Sequence, residues 1–266
     1  MNNRLSHEMV YQLAALLIAV ILVHLAYISV IRPNADAILE EQAALAAAGE
    51  EFVPDRSLFV VLRDLEQEAC FILMLWALAI MGYKMIAAQR ERQLLDEDLV
   101  HVSDGMNVLP EDTREYTRPL QALPDDTQQR LLPRVLMTAL QRFSSTRNVQ
   151  DVADSVRTIC ESESDRLDSE LAMVRYIAWA IPSIGFIGTV RGIGEALGQA
   201  YRAVEGDIAG VTTSLGVAFN STFVALVISI VLMFFMHQLQ LIQERLVLDS
   251  QAYCDQRLLR HLSVRG

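Results

Sequence analysis

The sequence predicts an all-α membrane protein: four transmembrane helices with long helical extensions. Three observations carry this reading. Uncharged runs long enough to cross a bilayer recur along the chain, in which 52% of residues are hydrophobic. No apolar–polar alternation of period two marks a strand. Proline and glycine sit inside apolar runs, above all between Pro182 and Gly192. Such residues are poor in a helix surrounded by water. They are tolerated in lipid, where neighbouring helices re-satisfy the backbone and small residues let backbones approach.

The first element is residues 1–31. Between Glu8 and Arg32 lie 23 residues without a formal charge, a rise of roughly 30 Å or slightly more, enough for a bilayer. Ala35-Asp36-Ala37 resembles a cleavage site, but the apolar run is too long for a signal peptide and only Arg4 precedes it. It reads as an uncleaved span. Its His24 is a candidate proton relay, or simply packs against a neighbour.

Residues 32–68 form an acid-rich connection. Ile38 to Ala48 should be helical and Gly49 and Pro54 should end that helix. The second span covers 69–89, and its Lys84 is placed to snorkel toward headgroups. Lys84, Arg90 and Arg92 cluster at its end, whereas the preceding loop is acidic. Positive charge favours the cytoplasmic side, so the amino terminus and residue 90 onward are expected there, with 32–68 on the periplasmic face.

Residues 90–174 are predicted to be a cytoplasmic helical region. Asp125 or Asp126 is expected to cap a helix with Leu131, Leu132, Val135, Leu136, Ala139, Leu140 and Phe143 on one stripe. Val149, Val152, Val156 and Ile159 begin a second amphipathic stretch. With no breaker before Pro182, one long helix should run from about Asn148 into the third span, 175–200. Only 15 uncharged residues separate Arg175 from Arg191, about 22 Å of helix and short of a bilayer. Glu195 lies one turn after Arg191. The pair is either an ion pair at the rim or a candidate pathway mouth.

A polar link, 201–212, precedes the fourth span, 213–238. The uncharged run from Ile208 to Gln243, broken only by His237, is 36 residues long. It exceeds a bilayer, so this helix should project beyond it. The tail, 239–266, carries six charged side chains between Glu244 and Arg260 and reads as a solvated cytoplasmic helix.

On the third span, Ala178, Pro182, Gly185, Thr189, Gly192 and Ala196 fall on one narrow face of small residues. This predicts close packing against copies of the same helix. On the fourth, Ser214, Ala218, Thr222, Ala225 and Ser229 repeat the pattern, and Asn220 and Ser221 beside Thr222 make the most polar patch at membrane depth. Phe219, Phe223, Leu226, Ile230 and Phe234 face elsewhere and suit lipid. Around a shared axis, Thr189 and Thr222 would form rings of hydroxyls able to serve water or a dehydrated cation. Alternatively, each hydroxyl bonds the carbonyl one turn back.

Composition excludes other classes. A net charge of −11 is wrong for nucleic acid. The three cysteines form neither a disulfide framework nor a zinc motif, and no metal site is expected. The five histidines are scattered, and no catalytic constellation or cofactor motif appears. No carboxylate is evident near the centre of a span, although ion relays need an ionisable group at that depth. The acid is therefore expected on another chain.

Pro182, Gly185, Gly188, Thr189 and Gly192 follow P-x-x-G-x-x-G-T-V-x-G, and Ala218-Phe-Asn-Ser-Thr222-Phe-Val-Ala-Leu226 looks, more loosely, like A-L-x-x-T-x-x-x-L with Phe219 in place of the leucine. In these segments, within about 170–245, the chain resembles the MotA/TolQ/ExbB family of ion-driven motor subunits. It departs from the TolQ/ExbB branch at Arg191, where an aromatic is usual, and at Ser214 to Val217, where a glutamate is usual. The resemblance implies a homopentamer around a dimer of a MotB/TolR/ExbD-like single-span subunit whose aspartate carries H+ or Na+ past the threonine rings. It also implies a bacterial inner membrane location. Thr189 and Thr222, with Ser214, Asn220 and Ser221, would line the ion pathway, while Pro182, Gly185, Gly188 and Gly192 pack it. Rival readings are a non-conducting scaffold or signalling subunit with periplasmic input and cytoplasmic output, and a channel that conducts alone.

Overall fold

A computed structural model describes residues 2–47, 57–102, 106–204 and 208–263. Among the described residues every regular element is helical: α1 (Asn2–Ala26), α2 (Arg32–Ala47), α3 (Leu58–Val61), α4 (Leu65–Gln93), α5 (Thr113–Gln121), α6 (Asp125–Gln128), α7 (Leu131–Thr146), α8 (Val149–Glu170), α9 (Ala172–Gly198), α10 (Ala200–Val204) and α11 (Ala209–Arg257). Four helical stretches are long and apolar enough to cross a membrane: His7–Gln42, Leu65–Asp96, Val149–Gly198 and Gly210–His261. The chain divides into an apolar unit, Met1–Gly82 with Met173–Met236, and a polar unit, Tyr83–Ala172 with His237–Gly266.

In the apolar unit the first helix does not stop at Ile31. A π-helical turn, Tyr27–Ile31, joins α1 to α2. The cause lies at Pro33, which lacks an N–H and crowds the preceding turn. A wide turn shifts the hydrogen-bond register just before it: the Arg32 N–H bonds Tyr27 O. The Asn34 side chain then donates to Val30 O at 2.7 Å. Trp76 Nε1 donates to Gln12 O at 2.9 Å and Tyr11 Oη to Ala79 O at 3.2 Å, tying α1 to α4. Helix α4 begins at Leu65, four residues before the apolar run, so Glu66 and Glu68 stand in its first turn. The predicted breaks at Gly49 and Pro54 lie outside the described residues. Large apolar side chains, among them Leu13, Leu17, Phe219, Phe223, Leu226, Ile230 and Phe234, are exposed on this unit, as expected where lipid is the solvent.

The polar unit closes on its own core. The expected stripe of α7, Leu131 to Phe143, is buried, and Val152, Val156 and Cys160 of α8 pack against it with Val247, Cys254 and Leu258. The tail is therefore only half solvated: one face of α11 completes this core. Asp125 and Asp126 do not cap α7. They open the separate short helix α6, and α7 starts at Leu131 because Pro133 fits only a first turn, where an absent N–H costs nothing. The long helix into the third span is interrupted at a single residue, Leu171, between α8 and α9.

Lys84 does not snorkel. It is buried, and its Nζ meets Glu170 Oε2 at 2.8 Å. Arg166 bonds Glu170 Oε1 at 3.0 Å and also grips Glu163, which Arg134 reaches at 2.8 Å. This ladder of alternating charge crosses α4, α8 and α7. Burial pushes the Glu163 carboxyl up, but hydrogen bonds from Arg166 and Arg134 outweigh it and hold it below the ordinary glutamate range.

Candidate functional site

The small-residue faces of α9 and α11 meet each other within one chain. A Cβ on Gly188 would lie 2.5 Å from Ser221 Cβ and 2.7 Å from its Oγ. One on Gly192 would lie 2.7 Å from Ser214 O and 2.8 Å from Ala218 Cβ. One on Gly185 would collide with Ala225 Cβ. The glycines thus fit an intrachain seam. A second helix of the same chain, carrying its own stripe of Ser and Ala, is the nearer partner.

Thr189 and Thr222 meet on this seam, both half-buried. Their hydroxyls contact each other. Thr189 Oγ1 reaches Ala218 O at 3.0 Å and Gly185 O at 3.3 Å, and Thr222 Oγ1 donates to Gly185 O at 3.1 Å. The bond to the carbonyl one turn back is therefore real for Thr189, but it is the longer of its two carbonyl contacts. Each hydroxyl bridges helices and retains lone pairs, so the pair can still present oxygen to a passing ion.

The other predicted residues distribute around this pair. Ser221 is buried; its Oγ donates to Val217 O at 2.9 Å and accepts from the buried Gln67 at 3.5 Å. Ser214, also buried, accepts from Gln199 Nε2 at 3.1 Å. Asn220 is half-buried and joins none of these bonds. Pro182 is half-buried in α9 and leaves Ala178 O without its helical donor. Ser229 Oγ of α11 supplies one at 3.1 Å. Composition offered Ser229 only as a small residue; its task follows from the proline opposite.

Arg191 does pair with Glu195, at 3.8 Å, but this is its weakest link. Its Nε and Nη2 grip the two oxygens of Glu66 at 2.9 Å each, and Asp64 stands 3.7 Å away. A two-pronged guanidinium–carboxylate fork is the stronger geometry, so α4 holds the arginine. Burial raises the Asp64 carboxyl more than Arg191 lowers it.

Two acids at the edge of the second span were passed over. Glu68, buried in the first turn of α4, bonds His24 Nδ1 at 2.6 Å and is also gripped by Arg32. His24 lies inside the uncharged stretch Met9–Ile31. Glu66 and Glu68 were missed because they directly precede the apolar run and read as loop. Their signal was helical phase: one turn added ahead of Ala69 places both on α4. No group of three or more His, Cys, Asp or Glu poised for a metal occurs among the described residues.

Four membrane-capable helices, two of them joined by a glycine-cut seam carrying paired hydroxyls, mark a multi-pass membrane protein. More particularly, residues 127–252 match the MotA/TolQ/ExbB proton channel family, which bears out the resemblance read from the two motifs. The match begins well ahead of those motifs and takes in α7 and α8. Comparison with curated proteins and with solved structures gives no match.

Proposed function

We propose that this chain is the channel subunit of a bacterial inner-membrane complex that turns ion-motive force into rotation or mechanical work. Five copies enclose a dimer of single-span partners, each presenting one aspartate beside Thr189 and Thr222. The ion is a proton, in keeping with the family match; sodium is the alternative. Both termini and residues 90–174 lie in the cytoplasm, and 32–68 face the periplasm.

The observation that carries this reading is the Thr189–Thr222 hydroxyl pair on the seam of α9 and α11. Oxygen atoms at that depth, with neighbours cut down to glycine, serve an ion that has shed water. Moving one charge through 100 mV releases about 2.3 kcal/mol, enough to drive a step of the ring about its partner. The polar unit, braced by the Lys84–Glu170–Arg166–Glu163 ladder, is the part suited to pass force to a cytoplasmic target.

Co-expression with the neighbour-encoded single-span protein, purification and copy counting test the assembly. A ratio of five to two with voltage-driven proton uptake in vesicles supports it. A chain that purifies alone, or conducts without a partner, overturns it. A non-conducting scaffold predicts no flux in any combination.

A further inference from the structure

The apolar unit holds a second polar cluster, which the ion pathway above does not use. Glu68 is buried, and both of its oxygens are engaged: Oε1 faces His24 Nδ1 at 2.6 Å, and Oε2 faces Arg32. His24 and Arg32 sit on either side of the π-helical turn Tyr27–Ile31. That turn brings both side chains onto one carboxylate, and wide turns of this kind are frequent at functional sites. Within it, Tyr27 is 1% exposed, and its hydroxyl has no hydrogen-bond partner among the described residues. Arg32 lies over the Tyr27 ring at 5.7 Å.

An ionised carboxylate only accepts hydrogen bonds, so the His24 nitrogen facing it must carry the proton. This assigns the tautomer. Nδ1–H donates to Glu68, and Nε2, on a side chain 52% exposed, is the free basic position. With His24 neutral, the Glu68 and Arg32 charges cancel. One added proton on Nε2 takes the cluster from zero to +1 with no other bond made or broken.

The groups around it are few. Arg32 and Tyr27 come from the same helix, and Glu66, Glu68 and Cys70 from α4. Ahead of α4, Asp64 is engaged with Arg191 at 3.7 Å, and Arg63 with Asp36 at 3.0 Å. From α9, Arg191 and Glu195 are spent on each other and on Glu66. The part of α11 in this unit, residues 209–236, carries no charged residue. Among the described residues, Glu68 is therefore the one carboxylate bonded to His24.

We infer that His24 and Glu68 form a proton-binding site belonging to this chain, with Arg32 fixing Glu68, separate from the partner's aspartate and from the threonine pair. It does not depend on the ion-transport reading, because it requires no partner and no flux.

The test uses the full chain in lipid vesicles, with 15N-labelled histidine read by solid-state NMR; His24→Gln identifies the signal. His24 should show the Nδ1–H form at high pH and take up its second proton, on Nε2, as the pH is lowered. Glu68→Gln removes the anion and should shift that uptake to lower pH, by tenfold or more in proton concentration. Arg32→Gln leaves the carboxylate to His24 alone and should shift it to higher pH. Opposite shifts cannot come from general loosening of the fold. The inference fails if both variants move the signal the same way, if neither moves it, or if His24 never takes the proton.

Discussion

Gly192→Ala is the substitution for which the structure gives the firmest number. A methyl there would stand 2.7 Å from Ser214 O, 2.8 Å from Ala218 N and 2.8 Å from Ala218 Cβ. Relaxed carbon–carbon contacts lie at about 3.5–4.0 Å, so the methyl intrudes by roughly 1 Å. Two of the three obstacles are backbone atoms and cannot rotate away. Relief requires α9 and α11 to part, which breaks the Thr189–Ala218 bond less than one turn away and separates the hydroxyl pair. Overpacking typically costs about 1–3 kcal/mol, and a rigid backbone obstacle places this case at about 2–3 kcal/mol. At Gly194, two residues on, an added methyl would meet nothing within 4 Å, so Gly194→Ala should lose nothing. Equilibrium unfolding of the purified chain in bicelles measures both. If Gly192→Ala matches Gly194→Ala to within about 0.5 kcal/mol, the ordinary scatter of surface substitutions, the seam is wrongly described.

Ser229→Ala should strand Ala178 O and cost about 1–2 kcal/mol; Pro182→Ala restores the helical donor, so the double variant should recover most of the loss in a mutant cycle. Glu163 holds its charge below the ordinary glutamate value of 4.5. Its contribution to stability is complete above that value and drains as pH falls through the lowered one. Glu163→Gln should therefore destabilise the polar unit at neutral pH and flatten its acid limb, and acid denaturation curves of the two chains will show whether it does. Cys70, Cys160 and Cys254 are all buried, and burial pushes the Cys160 thiol up to about 11. A maleimide should label none of them in the folded chain and all three after denaturation.

Much of the fold was legible in the sequence because lipid imposes a simple rule. Uncharged runs of sufficient length marked all four spans, and the stripe on α7 marked the polar core. Where charge lies at a run's edge, the rule fails. It ended the first helix at Ile31, although Pro33 is absorbed by a π-helical turn, and it began the second span at Ala69, although Glu66 and Glu68 already belong to α4. The same cut hid the acids that hold Arg191 and His24. Lys84 was misplaced for a related reason, since its partner Glu170 lies 86 positions away and no local spacing reveals it. The small-residue faces of α9 and α11 could be read from their spacing, but periodicity does not say what a face meets; within the chain, Gly188 fits onto Ser221.

The central claim is that the hydroxyls of Thr189 and Thr222 carry the ion past the partner's acid. Voltage-driven proton uptake by vesicles holding the chain with its single-span partner tests it most directly, comparing the native chain with the Thr189→Val/Thr222→Val variant, which keeps shape and removes both hydroxyls. The account predicts that uptake falls to the level of empty vesicles while the complex still assembles. Native uptake from an intact double variant would contradict it.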